Sequence, residues 1–189
     1  TSWHGVIGES MGIDRMEVSR FGGMTPPDAP QAFADITSAT NQNVTVSAYF
    51  ADDSVKNEYK IGNGAWQIYS GGIVLTSNGT VSFRASDRAG NVSDVTVYTV
   101  SNIDKVAPNK PTAKANITST TNQDVTVSAY FSSDSAKRQY SLDNRNWYTY
   151  PSNGVVMHNN GTVYFRGIDA AGNISQVISY DVNNILRGV

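Results

Sequence analysis

The chain says the same thing twice. Asn41-Gln42-Asn43-Val44-Thr45-Val46-Ser47-Ala48-Tyr49-Phe50 returns as Asn122-Gln123-Asp124-Val125-Thr126-Val127-Ser128-Ala129-Tyr130-Phe131. Further on, Tyr59 and Trp66 return as Tyr140 and Trp147, and Asn78-Gly79-Thr80-Val81 as Asn160-Gly161-Thr162-Val163. Asp87-Arg88-Ala89-Gly90-Asn91 returns as Asp169-Ala170-Ala171-Gly172-Asn173. The offset is 81 residues at Asn41 and at Trp66 and becomes 82 at Gly79, so one residue is inserted near Pro151. An internal repeat defines the folding unit. The 189 residues therefore read as two small domains, 26–104 and 105–189, preceded by a segment 1–25 outside the repeat. That segment reads as the tail of a preceding domain or an N-terminal extension. Units of this size bury a thin core, with stability toward the low end of about 5–15 kcal/mol. The repeat is also an internal control. A residue kept in both copies is a scaffold residue, and one present in a single copy is a candidate for something specific.

Each copy reads as strands. Within Asn43–Phe50, Val44, Val46, Ala48 and Phe50 alternate with Thr45, Ser47 and Tyr49, the period of a half-buried strand. Thr80–Ser86 and Thr162–Ile168 alternate in the same way, with Val81, Phe83 and Ala85, and Val163, Phe165 and Gly167, facing inward. Thr96–Val100 and Val177–Val182 form the last strands. Gly62-Asn63-Gly64 and Asp143-Asn144-Arg145-Asn146 read as hairpin connections, and Asn78-Gly79 and Asn160-Gly161 as turns that tolerate positive φ. No stretch holds a helical period. The expected fold is all-β: two tandem antiparallel sandwiches. Pro108 and Pro111 between the units, matched by Pro30 before the first, predict a semi-rigid, end-to-end joint.

Composition removes several function classes. Net charge is −2 with 16% charged residues and no Lys/Arg run, so the electrostatic footprint of nucleic-acid binding is missing. There is no cysteine, hence no disulfide, thiolate zinc site or thiol nucleophile. No apolar run approaches the roughly 20 residues that span a bilayer. The chain begins at Thr1 without Met and reads as a piece of a longer protein, with any export or anchoring signal elsewhere.

With these residues in view, the units resemble the bacterial Ig-like, fibronectin III-like β-sandwich repeats found in tandem in large secreted and cell-surface proteins. The resemblance is carried by Pro108 and Pro111, Asn122-Gln123-Asp124-Val125-Thr126-Val127, Tyr140-Ser141-Leu142-Asp143 with Trp147, Asn160-Gly161-Thr162-Val163-Tyr164-Phe165-Arg166, and Asp169-Ala170-Ala171-Gly172-Asn173. It covers about residues 26–185. It implies an extracellular or surface location and a non-catalytic spacer or interaction role. The implied partners are neighbouring domains of the same chain and, in an adhesin, glycans or a host surface.

The chemistry-bearing residues are few. Asp87 with Asn91, Asp169 with Asn173, and Asp104 at the joint are calcium candidates. The simpler reading of the first two is a carboxylate closing its own turn. Trp66 and Trp147, kept in both copies, are expected to cover the end of the core. The second copy gains Tyr148, Pro151 and Tyr164, so Trp147, Tyr148, Tyr150 and Tyr164 form the candidate glycan surface. His4 and His158 read as surface residues. Asp53 with Lys56 and Asp134 with Lys137 read as local charge pairs. No nucleophile–base pair appears, and no enzyme is expected.

Overall fold

The computed structural model describes residues 24–188. The expectations for 1–25, save its last two residues, and for His4 lie outside them. The described chain divides into two compact units, one made of 24–37 and 43–102 and the other of 38–42 and 103–188. Among the described residues there is no helix.

The first unit holds β1 (Gln31–Ala34), β2 (Val44–Tyr49), β3 (Lys56–Ile61), β4 (Gln67–Ile68), β5 (Ile73–Leu75), β6 (Gly79–Ser86) and β7 (Thr96–Val100). The second holds β8 (Thr112–Ala115), β9 (Val125–Tyr130), β10 (Lys137–Ser141), β11 (Tyr148–Thr149), β12 (Val155–Met157), β13 (Gly161–Ile168) and β14 (Ile178–Val182). Each unit has two antiparallel sheets. A three-stranded sheet runs β1-β2-β5 or β8-β9-β12, and a four-stranded one runs β4-β3-β6-β7 or β11-β10-β13-β14. The registers match as well: Ala32 faces Ala48 as Ala113 faces Ala129, and Tyr59 faces Phe83 as Tyr140 faces Phe165.

The period-2 reading holds for the central strands, with ends shifted by about a residue. β6 and β13 start at the glycine, and β14 starts at Ile178, one residue after the expected Val177. In β2, Val44, Val46 and Ala48 are buried and Tyr49 is exposed. Phe83 and Phe165 are fully buried at the centre of their units, among Val81 and Val100 or Val163 and Val182. Burying a phenylalanine of this kind contributes about 1.5–3 kcal/mol. The two- to four-residue strands β1, β4, β5, β8, β11 and β12 are too short for alternation to stand out.

The turns depart from expectation in one respect. Asn78-Gly79 and Asn160-Gly161 do not adopt positive φ, which is confined among the described residues to Asn144, Gly62, Gly90, Gly154 and Gly172. Asn160 works through its side chain. Its Oδ1 accepts from Ile185 N at 2.9 Å and its Nδ2 donates to Ile185 O at 3.0 Å, mimicking a strand partner. Left-handed geometry falls instead on Gly90 (φ 89°) and Gly172 (φ 92°) inside the Asp-x-Ala-Gly-Asn turns, where an L side chain would be strained.

Four of the six prolines are buried in the two units, and Pro26 and Pro151 are exposed. Pro27 and Pro30 are buried in the first, and Pro108 and Pro111 in the second. The Pro30 carbonyl accepts from the Thr96 hydroxyl, anchoring the entry to β1 beside β7.

Candidate functional site

The outer face of each four-stranded sheet carries a tryptophan stacked on an arginine. In the first unit the Arg84 guanidinium lies 4.3 Å from the centre of the Trp66 ring, and Lys60 lies 5.1 Å away on the same face. Arg84 Nε donates to Glu58 Oε2 at 2.8 Å, and Lys56 Nζ sits 2.7 Å from Glu58 Oε1. Glu58 is only 6% exposed. The Lys56 hydrogen bond does most to hold its carboxyl below the ordinary range. Burial pulls the other way, and Arg84 adds to the lowering.

The second unit repeats the stack without the carboxylate. Arg166 lies 4.1 Å from the centre of the Trp147 ring, and its Nε donates to Gln139 Oε1 at 2.8 Å. Burial of the guanidinium lowers its pKa. Both tryptophans therefore lie outside the core, contrary to the expected core-capping role. Each indole lies against an arginine that rises from the sheet, a cation–π contact of about 0.5–1 kcal/mol at a partly exposed site. Sequence reasoning missed Glu58, and it paired Lys56 with Asp53. The structure turns Lys56 to Glu58, and Asp134 accepts from the Ser132 hydroxyl.

Two tyrosines take the place expected of the tryptophans. The Tyr69 hydroxyl accepts from Ala48 N at 3.2 Å and the Tyr150 hydroxyl from Ala129 N at 2.9 Å. Their rings meet Phe83 at 5.7 Å and Phe165 at 5.9 Å edge to face. The four candidate aromatics of the second unit are thus divided. Tyr164 alternates with the buried Val163 and Phe165, so it points outward on the face that carries Trp147 and Arg166. Tyr148 is opposite Tyr140, which is opposite Phe165, so it belongs to the inner face. It is 55% exposed there because β11 is the sheet edge, and its ring lies 5.8 Å from Tyr140. Tyr150 is interior. The four do not share one surface.

The turn carboxylates are engaged by their own turns. Asp87 Oδ1 accepts from Asn91 N at 2.9 Å and Oδ2 from Asn91 Nδ2 at 2.8 Å, and Asp169 does the same with Asn173 at 2.8 Å for both. The Asn91 side chain is the largest cause of the lowered Asp87 pKa. At Asp169 burial pushes the carboxyl up. The Asn173 side chain and amide, with the amides of Ala171 and Gly172, outweigh it, and the pKa is lowered. Asp104 Oδ1 accepts from Val106 N at 3.0 Å. No group of three or more His, Asp or Glu side chains suited to a metal occurs among the described residues. In the second hairpin Asp143 caps the amides of Asn146 and Arg145, which hold it well below the usual carboxylate range.

His158 is not a lone surface residue. Its Nδ1 lies 2.9 Å from Asp124 Oδ2, while Arg187 binds Asp124 Oδ1 and donates to the His158 carbonyl at 3.0 Å. The Arg187 bond does most to lower the Asp124 pKa.

Three antiparallel strands facing four, with this order in both units, define an Ig-like, fibronectin III-like all-β sandwich. No family model and no curated protein sequence matches the chain. Among solved structures it is similar to the fibronectin(III)-like modules of Clostridium thermocellum CbhA, with 15% identity and a TM-score of 0.38 over 80% of this chain and 92% of that one. It is also similar to the full ectodomain (Ig1–Ig3) of mouse nectin-like molecule 4, at 11% identity and a TM-score of 0.37. That match covers 83% of this chain and spans 64% of the ectodomain. The human OSCAR ligand-binding domain is a third, at 12% identity and a TM-score of 0.33, over 82% of this chain and 98% of that one.

Proposed function

We propose that the chain is a non-catalytic structural and interaction segment of a larger secreted or surface-anchored bacterial protein, holding a distal domain at a set distance. The observation that carries this reading is where the shared residues go. Phe83 and Phe165 fill the cores, Tyr69 and Tyr150 seal them, and Asp87 and Asp169 with their asparagines close the last turns. What the two copies keep builds sandwiches. The proline-bearing joint supports a fixed spacing. Small-angle scattering of the tandem beside each isolated unit tests this. A maximum dimension close to the sum of the two units is expected, and one close to a single unit overturns it.

A second reading, a carbohydrate- or host-surface-binding module, is favoured by one observation: Trp147 and Tyr164 share an outward face. Its test is a neutral-glycan array with the protein and with Trp147→Ala combined with Tyr164→Ala. Binding lost in the double variant supports it, and no binding by the parent protein removes it.

A further inference from the structure

We propose that the second unit carries a binding groove for an oxyanion-bearing saccharide, a uronate or a sulfated sugar, on the flank of β10 where the short β11 ends. A cavity of about 310 Å³ lies there, lined by Ala136, Lys137, Arg138, Gln139, Thr149 and Tyr150. A second cavity of about 400 Å³ shares Arg138 and Tyr150 with it and adds Ser128 and Ser152.

The repeat shows what is special about this place. In the first unit the matching positions are Lys56, Asn57 and Glu58, and Glu58 neutralises both Lys56 and Arg84. In the second they are Lys137, Arg138 and Gln139. One exchange removes the carboxylate and the next adds a cation. Among the described residues no carboxylate lies within ion-pair distance of Lys137, Arg138 or Arg166. Gln139 occupies Arg166 by a neutral bond instead. Arg138 stands opposite Gly167 in the register, and its guanidinium lies 5.8 Å from the centre of the Phe131 ring, held at the groove by an aromatic face.

The chemistry of the lining selects the ligand. The Arg138 guanidinium fork suits a planar carboxylate or a sulfate, and Lys137, turned to the other face of β10, borders the same cavity. Neutral residues suited to sugar hydroxyls line the same two cavities, Gln139 and Thr149 the first and Ser128 and Ser152 the second. The Tyr150 hydroxyl accepts from Ala129 N and so keeps its own proton to donate. A cavity of this volume sits at the small end of ligand sites, in keeping with one or two sugar rings. The surrounding unit favours anions too. Residues 38–42 and 103–188 hold eight Lys/Arg against six Asp/Glu, while 24–37 and 43–102 hold four against seven. None of this depends on Trp147 or Tyr164, so the groove and the outer aromatic face fail separately.

The experiment is calorimetric titration of the whole chain with a galacturonate hexamer, a heparin hexamer, cellohexaose and a poly-glutamate peptide. Binding to one or both acidic sugars, weakened by added salt, is expected, and the tighter of the two identifies the oxyanion. Arg138→Gln should weaken that binding about tenfold or more. Gln139→Glu should rebuild the Glu58 arrangement, weakening binding with the melting temperature kept or raised, which separates loss of the site from loss of the fold. The proposal is overturned if neither acidic sugar binds, if cellohexaose or poly-glutamate binds as tightly, or if both variants bind like the parent.

Discussion

Around Glu58 the first unit balances two cations with one buried carboxylate. Around Gln139 the second meets the matching arginine, Arg166, with a neutral amide. The two places have the same strands, the same register and the same tryptophan–arginine stack. What differs is charge, and the difference extends to whole units. The first holds three more acids than bases, and the second two more bases than acids. A sandwich whose interior and turns are fixed by a few shared residues leaves its outer faces free to change chemistry without altering the fold. Function is therefore to be sought where the copies disagree.

The comparison can be broken first at the core. Phe83→Ala and Phe165→Ala should each cost about 3–5 kcal/mol, most of what a unit this small possesses. Calorimetry of each variant should show the loss in the mutated unit, and a cost differing severalfold between the two would mean that the interiors are not equivalent. Next come Tyr69→Phe and Tyr150→Phe. Each leaves a strand amide without its acceptor, at about 1–3 kcal/mol, read as a lowered denaturant midpoint with an unchanged slope.

Glu58 sharpens the contrast through pH. Its folded pKa lies below the ordinary 4.5. The stability it contributes is present above that value and is lost as pH falls through the lower, folded pKa. Glu58→Gln should therefore cost about 1–2 kcal/mol at neutral pH and shrink the acid-dependent loss of the first unit. Acid melts of both proteins check this, and identical pH profiles would show that the bridge does not matter. The smallest effect is expected at Gln139→Glu, where the second unit gains a bridge of the first unit's kind. Its melting temperature should stay level or rise slightly at neutral pH and acquire a new dependence on acid.

The long central strands, the sandwich class and the closing Asp-x-Ala-Gly-Asn turns were legible because each is written locally, in a period of two or within five residues. Faces next to very short strands were not. Trp147 precedes the two-residue β11, so no alternation says which way it points, and the Arg166 that holds it is 19 positions away. Tyr150 could have been placed. It has an exact partner 81 residues earlier in Tyr69, and presence in both copies marks it as scaffold, yet its neighbours Tyr148 and Pro151 drew it into the ligand candidates. The Glu58 bridge joins β3 to β6 across 26 positions, a contact that only the fold brings together.

The tyrosine hydroxyls on Ala48 and Ala129 have one more effect. Past Val46 and Val127, where β5 and β12 run out, each amide would otherwise stand ready to pair with a stray strand. Two look-alike modules in one polypeptide are prone to exchanging strands while they fold, because each offers the other a fitting template. A phenol already seated on that amide closes the vacancy with a side chain, guarding each module against its own twin.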